Sequence, residues 1–268
     1  MDVIILNGMY QRVTQRTYGP YLLKHVLKKR GYTCQVIDFC QEYTPDQLLE
    51  LIKLFITTDT ICLGISTTFW SSAASGSTAV PAYNLYRTDG HITDVPSMLE
   101  QLKHEFPKLK IIFGGVKIRS VVKGMSMADA AFNGDAEDTL PDALDYWTKN
   151  TQEPWRILHP DFKCKLYYKP VNSTYDVTTC DFEWDTRDCI IDGESLPLES
   201  ARGCIFKCAF CSYPHIGKKK FDYLKSNETI EKYLSDNYAK YKTTKYHMMD
   251  DTFNDSEFKI DNFLSVTR

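Results

Sequence analysis

The sequence predicts an α/β protein whose first part is a doubly wound parallel sheet and whose last part is a second, smaller unit. Residues 1–149 alternate short apolar runs with stretches of helical periodicity, which is typical of parallel sheets covered by helices. Residues 150–195 show only weak strand patterns, and a new strand with a cysteine-rich loop begins at residue 196. We therefore expect a domain over residues 1–149, a linker over 150–195 and a second domain over 196–268.

The predicted strands of the first domain are short apolar runs bounded by turn residues, a pattern typical of buried strands. They cover residues 3–6, 34–39, 60–65, 110–113 and 129–132.

Predicted helices separate these strands. The first ends at Gly31, and the second begins near Pro45 because proline is favoured in the first turn of a helix. They cover residues 18–30, a stretch from 45 to about 55, residues 96–106, a short segment that ends near residue 124, and residues 139–148. Residues 69–93 have no clear period and form a long predicted loop, which is typical of a functional or mobile segment.

Small residues follow several predicted strands at the edge where the carboxyl ends of the strands meet. Ligands of doubly wound sheets bind beyond this edge, and glycine lets a ligand approach the backbone closely. The alternative is that these residues only form tight turns. The edge residues are Asn7, Gly8, Ser66, Thr67, Thr68, Gly114, Gly115, Gly134 and Asp135.

The composition is that of an ordinary soluble globular protein. Charged residues make up 25% of the 268 residues and the net charge is -3, so the chain has no basic footprint for nucleic acid. No stretch approaches the ~20 apolar residues of a membrane span. The first seven residues resemble a strand and not a signal peptide. We therefore expect a cytoplasmic protein that binds neither nucleic acid nor membranes.

Three of the nine cysteines, Cys204, Cys208 and Cys211, form a C-x3-C-x2-C motif, and the other six are scattered. An odd total, this local cluster and the lack of a secretion signal argue against a disulfide framework. Thiolates are the usual ligands of iron–sulfur clusters. Three thiolates from one loop can bind three corners of a cubane cluster and leave the fourth iron open to another ligand.

The elements around the motif favour a cluster over the main alternative, a structural zinc ion. Zinc needs four ligands, and His215 would be the fourth. However, the loop follows a predicted strand, as active-site loops of β/α barrels do. An aromatic residue, Phe210, precedes the third cysteine. After a predicted helix over residues 226–241, the next strand ends at Asp250 and Asp251, at the same edge. Zinc requires none of these features.

Residues 196–254 resemble the start of a radical S-adenosylmethionine (SAM) domain, whose hallmark is a C-x3-C-x-aromatic-C loop after the first barrel strand. The whole chain resembles the subfamily in which a cobalamin-binding-like domain precedes the radical SAM domain. Gly114-Gly115 and Gly134-Asp135-Ala136-Glu137 match its Gly-Gly and Gly-Glu-Gly-Glu positions, and Phe253 fits its second barrel strand. The resemblance implies a Rossmann-like sheet followed by the first part of a (β/α) partial barrel.

The resemblance also implies roles for the site residues. The three motif cysteines would ligate a [4Fe–4S] cluster, and SAM would bind the open iron. Phe210 would lie beside the adenine, and Asp250 or Asp251 would orient SAM. The reduced cluster would split SAM into methionine and a 5′-deoxyadenosyl radical. The implied protein is a radical enzyme of the transferase or oxidoreductase type, such as a cobalamin-dependent methyltransferase, that acts on a small molecule or another substrate.

Cobalamin is a candidate second cofactor in this subfamily, and the edge residues Ser66, Thr67, Gly114, Gly115 and Gly134 would bind it. Domains that coordinate cobalt carry D-x-H-x-x-G after the first strand, whereas residues 7–11 here contain no histidine. The chain stops inside the second barrel repeat, so we expect a truncated or split enzyme, or a partner chain that completes the barrel. An inactive cobalamin-type binding module and a zinc-stabilised structural protein are the alternatives.

Overall fold

The structure, a computed structural model, divides into two compact units. The first comprises Met1–Thr14 and Val26–Ser173, and the second comprises Gln15–His25 and Thr174–Arg268. The described residues are 1–8, 15–67, 95–115, 118, 127–154, 156–157, 164–168, 176, 178–179, 181–211 and 223–267.

The first unit is built on a sheet that has seven strands within the described ranges. The strands are β1 (Val3–Leu6), β2 (Cys34–Ile37), β3 (Cys62–Ser66), β4 (Lys110–Gly114), β5 (Ala130–Asn133), β6 (Arg156–Ile157) and β7 (Lys165–Tyr168). They lie in the order β2-β1-β3-β4-β5-β7-β6; β6 is antiparallel to β7, and the other neighbours are parallel. The predicted doubly wound parallel sheet is confirmed. Its order reverses between β1 and β3, where such sheets bind ligands.

The central strands are apolar because helices cover both faces of a doubly wound sheet. All four residues of β1 are buried, as are Ile111, Ile112 and Phe113 of β4. On one side of the sheet, buried residues of the strands form one hydrophobic core with Leu48, which lies in the helix that follows β2.

Helices of the first half occupy the predicted positions. They are α1 (Tyr18–Lys29), α2 (Pro45–Lys53), α3 (Val95–Glu105) and α4 (Thr139–Lys149). Thr44 starts α2 with a capping box: its hydroxyl accepts the Gln47 N–H at 3.2 Å, and its own N–H donates to Gln47 Oε1 at 2.9 Å. The predicted loop over residues 69–93 and the predicted short helix near residue 124 lie outside the described residues.

The segment predicted as a linker contains regular structure. β6 and β7 extend the first sheet, and Thr186–Asp188 forms a short 3-10 helix in the second unit, capped by Asp185. Local patterns are weak here because β6 has only two residues and is defined by its pairing with β7. The domain boundaries at residues 149 and 195 stay a prediction.

The second unit contains a parallel pair of strands, β8 (Leu196–Leu198) and β9 (Tyr246–Met248). The cysteine loop and helix α5 (Asn227–Tyr241) connect them, and helix α6 (Glu257–Thr267) follows β9. Ser226 caps α5, since its hydroxyl accepts the Thr229 N–H at 3.2 Å. This strand–helix–strand order is the predicted start of a β/α barrel. None of the helices within the described ranges is long and apolar enough to span a membrane.

Candidate functional site

The cysteine loop begins at the carboxyl end of β8 and returns to the start of α5. Its two ends, residues 199–202 and 223–225, lie side by side and are called the neck below. The Arg202 N–H donates to the Tyr223 carbonyl at 2.8 Å, and the Lys225 N–H donates to the Ser200 carbonyl at 2.9 Å. The neck therefore fixes where the loop begins and ends.

Asp250, directly beyond β9, stabilises the β8 side of the neck. Its Oδ1 accepts the Ser200 N–H at 2.7 Å and the Ala201 N–H at 3.2 Å, and its Oδ2 accepts the Ser200 hydroxyl at 2.5 Å. The ammonium of Lys259, from α6, lies 2.8 Å from the same Oδ2. The structure thus brings Asp250 to the start of the cysteine loop, with both carboxylate oxygens engaged. Its contact with SAM stays a prediction.

A second buried carboxylate, Glu199, connects the two sides of the neck. It accepts two hydrogen bonds from the Arg202 guanidinium, both at 3.0 Å, and the Lys225 ammonium lies 3.4 Å away. Burial raises the pKa of Glu199, but the charges of Arg202 and Lys225 outweigh burial and leave the pKa below its ordinary value. Glu199 is therefore a charged acceptor that draws the two chain segments together.

The three motif cysteines differ in exposure. Cys204 is buried, and its thiol lies 3.6 Å from Thr252 Oγ1. The Phe206 N–H donates to Cys204 Sγ at 3.4 Å, and such bonds to sulfur help to set the properties of iron–sulfur clusters. Cys208 is exposed and Cys211 is half-buried, with the Cys211 N–H donating to the Cys208 carbonyl at 3.0 Å.

Two exposed aromatic residues lie within the cysteine motif. Gly203 turns the chain between the neck and the first cysteine with a φ of 130°, a conformation that favours glycine. Beyond it, Phe206 is 50% exposed and Phe210 is 91% exposed. Contiguous exposed apolar patches, as opposed to single exposed side chains, mark surfaces that bind other molecules. The predicted position of Phe210 beside adenine agrees with this exposure and stays a prediction.

Asp255 anchors the opposite side of the loop. Its Oδ2 accepts the Tyr223 hydroxyl at 3.0 Å and the Ile205 N–H at 3.4 Å. Burial, together with this hydrogen bond, raises the pKa of Tyr223 to about 12, so the phenol is a neutral donor at physiological pH. The Oδ1 of Asp255 is buried without a hydrogen-bond partner among the described residues.

The donor set fits a cluster held by three thiolates. Within the described part of the chain, no group of three Cys, His, Asp or Glu side chains is placed to hold a single metal ion. The ligands of a cubane bind three different irons, so they do not need to converge on one point. One thiol that accepts a backbone N–H and two accessible thiols on a short turn suit such a cluster. His215, the fourth ligand of the zinc alternative, lies outside the described residues.

At the carboxyl edge of the first sheet, the structure brings several predicted residues together. Thr67 is buried and donates to the Gly114 carbonyl from its N–H at 2.7 Å and from its hydroxyl at 2.9 Å. Ser66, the last residue of β3, pairs with Gly114. Gly115 has a φ of 107° and Gly134 a φ of 91°. Their contact with cobalamin stays a prediction, and Thr68 lies outside the described residues.

The position after β1 carries an amide–carboxylate pair. The Asn7 Nδ2 donates to Asp38 Oδ1 at 2.6 Å, and both side chains are buried. Sequence reasoning missed Asp38, although an acid directly after a short apolar run at this edge was the available signal. Residues 9–11 lie outside the described residues.

Comparison with known proteins shows a likeness of fold. No protein-family model matches the chain, and no curated protein matches it. Among solved structures, it is similar to the radical SAM methyltransferase TsrM from Kitasatospora setae. The TM-score is 0.66 for a TsrM structure with tryptophan substrate and the SAM analog aza-SAM bound, and 0.63 for one with cobalamin and a [4Fe–4S] cluster bound. Both are 12% identical to this chain.

The likeness extends over 98% of this chain and 50% of each TsrM chain. The chain therefore spans about half the length of these proteins. At 12% identity the likeness concerns the fold alone, and it agrees with the fold that the cysteine motif and the edge glycines imply.

Proposed function

We propose that this chain is a radical SAM iron–sulfur protein, which binds a [4Fe–4S] cluster through Cys204, Cys208 and Cys211 and binds SAM beside it. One observation carries the proposal: the C-x3-C-x2-C loop lies at the carboxyl end of β8, and an acid beyond the neighbouring parallel strand stabilises the start of that loop. Ligand sites of β/α barrels lie at this end of the strands. The fold likeness to TsrM supports the proposal.

When bound, a reduced cluster of this kind supplies the electron for reductive cleavage of SAM to a 5′-deoxyadenosyl radical. The residues of the chain bind and orient. The buried Cys204 is fixed next to Thr252, whereas the other two thiols are more exposed. Phe210 offers an exposed ring to the adenine. Asp250, whose carboxylate lies at the start of the cysteine loop, or the half-buried Asp251 would orient SAM.

We further propose that the carboxyl edge of the first sheet binds cobalamin. Ser66, Thr67 and Gly114 lie together at this edge, and Gly115 and Gly134, which have positive φ angles, carry no side chain that would keep a ligand from the backbone. One of the TsrM structures has cobalamin bound. The sequence offers no histidine directly after β1, so cobalt would be bound without a ligand from that position. The chemistry would be methyl transfer or a related radical reaction.

Anaerobic reconstitution with iron and sulfide tests the proposal. We expect about four irons per chain and an EPR spectrum of the reduced protein that changes when SAM is added. Cys204→Ser should lose the cluster. Cys189→Ser is the matched control, because Cys189 is an exposed cysteine of the same unit outside the motif, and it should retain the full iron content.

Three outcomes would contradict the proposal in different ways. Colourless protein with one zinc, lost in His215→Ala, would favour a zinc-stabilised structural protein. Cobalamin retention without SAM cleavage would favour an inactive binding module. A cluster whose EPR spectrum is indifferent to SAM would contradict SAM binding at the open iron.

A further inference from the structure

We propose that Lys259 is a positioning residue for the cysteine loop, which it fixes through a buried ion pair with Asp250. The ion pair and its effect on the loop do not depend on the proposed function. The purpose of this arrangement, a loop preformed for the cluster, rests on the proposed function. The sequence gives no spacing that links a residue of α6 to the cysteine motif.

Lys259 is unusual because it is the buried residue of α6. Its side chain is 1% exposed, whereas Phe258 of the same helix is 52% exposed. Lysine is almost never fully buried unless it is paired. Its ammonium lies 2.8 Å from Asp250 Oδ2 and donates to the Thr252 carbonyl at 2.5 Å. The helix is thus attached to the site through a charge.

The ion pair is also needed by Asp250, whose side chain is 0% exposed. A buried carboxylate without a counter-charge is strongly unfavourable. Asp250 accepts three hydrogen bonds from Ser200 and Ala201, so this position needs a hydrogen-bond acceptor. Lys259 therefore allows a charged acceptor to exist at the point where the loop leaves β8.

Lys259 also reaches the first motif thiol through one intermediate residue. Thr252 accepts from Lys259 with its carbonyl, and its hydroxyl oxygen lies 3.6 Å from Cys204 Sγ. The Lys259 ammonium further lies 6.0 Å from the centroid of the Tyr223 ring, on the other side of the neck. A single side chain of α6 thus binds the segment that follows β9 and lies near the Tyr223 ring of the neck.

Thiol alkylation of the native protein without cluster tests this role directly. Cys204 is buried, so its reaction with iodoacetamide, followed by mass spectrometry, reports opening of the neck, and the exposed Cys189 is the internal reference. In Lys259→Met we expect Cys204 to react at least about tenfold faster, since the variant leaves an unpaired buried carboxylate. The rate at Cys189 should not change.

The matched control is Lys24→Met, because Lys24 belongs to the same unit and its buried ammonium pairs with Asp188 and, at 2.9 Å, with Asp185. Its ammonium lies 2.5 Å from Asp188 Oδ1, with side-chain exposures of 8% and 1%. This variant should lower thermal stability without faster alkylation of Cys204 than in the wild-type protein. Cys189 is not the reference for this variant, because it adjoins Asp188. Equal acceleration in both variants, or none in Lys259→Met, would overturn the proposal.

If Lys259→Met unfolds, a double variant still tests whether Lys259 acts through Asp250. Asp250→Asn/Lys259→Met removes both charges and retains an oxygen acceptor for the neck, so it should protect Cys204 better than Lys259→Met alone. No such recovery would overturn the coupling of Lys259 to Asp250.

Reconstitution separates positioning from simple stability. At temperatures where Lys259→Met and Lys24→Met are equally folded, only Lys259→Met should lose the SAM-dependent EPR change. Retention of that change would overturn the positioning role. If the wild-type protein binds no cluster, the proposed function fails, whereas the alkylation result still decides whether Lys259 fixes the loop.

Discussion

Asp181 is a carboxyl group whose burial should make the second unit less stable at neutral pH. Burial raises the pKa of Asp181 from its ordinary value of 3.8 to about 6, although the charge of Lys225 and a hydrogen bond from Tyr18 oppose the rise. The folded state then binds the proton more tightly than the unfolded state does. The contribution of Asp181 to stability is therefore greatest below pH 3.8 and is lost as the pH rises through 6.

The size of this loss follows from the two pKa values. Their difference of about two pH units corresponds to about 3 kcal/mol, and residual contact of the half-buried side chain with water reduces this to roughly 1–3 kcal/mol. Asp181→Asn removes the titration and keeps an oxygen that can accept from the Tyr18 hydroxyl, now 3.5 Å from Asp181 Oδ1. We therefore expect Asp181→Asn to be more stable than the wild-type protein by this amount at pH 7.

Calorimetric unfolding at a series of pH values from 4 to 8 measures the effect as the difference between variant and wild type. The difference in the free energy of unfolding between Asp181→Asn and the wild-type protein should be small near pH 4 and constant above about pH 6. Glu153→Gln is a control of opposite sign. Burial raises the pKa of Glu153, but hydrogen bonds led by that from Lys165 lower it to about 2, so this stabilisation is present above pH 4.5 and fades toward pH 2. A difference for Asp181→Asn that does not depend on pH would refute the reasoning.

Three further substitutions test single features. Phe210→Ala should leave thermal stability within about 0.5 kcal/mol because the ring is exposed, yet weaken SAM binding measured by calorimetry on the reconstituted protein. Thr67→Val should lower stability in urea by about 1 kcal/mol through loss of the hydroxyl bond to Gly114; an unchanged midpoint would contradict this. Gly134→Ala should destabilise by about 1–2 kcal/mol because φ is +91°, whereas Gly19→Ala in helix α1, with equally open space around its Cβ, should not destabilise.

The sheet could be predicted from sequence because its strands are defined locally. β1 and β4, for example, are continuous apolar runs that are buried on both faces, so each run marks its own strand. β6 was missed because a strand of two residues has no period and only its antiparallel pairing with β7 defines it. The four residues of β7 lie in the segment that showed only weak strand patterns. The start of α2 was predicted likewise, because proline is favoured in the first turn of a helix.

The candidate site could be predicted only in part. The motif cysteines are close in sequence, so their spacing alone suggested a cluster. Glu199, Lys225 and Lys259 were missed because a charged residue is placed on the surface by default, and their burial depends on partners far along the chain.

The neck shows why the cysteine motif does not form its site alone. A carboxylate offers two oxygens with about four acceptor positions, and Asp250 uses them for two backbone N–H groups, one hydroxyl and the Lys259 ammonium. An apolar residue at this position would leave the buried N–H groups of Ser200 and Ala201 without an acceptor, which is costly. The segment from β9 through α6 is therefore needed before the cysteine loop, which lies between β8 and α5, acquires its geometry. A fragment that ends after α5 would keep all three motif cysteines, yet we expect it to leave Cys204 unprotected.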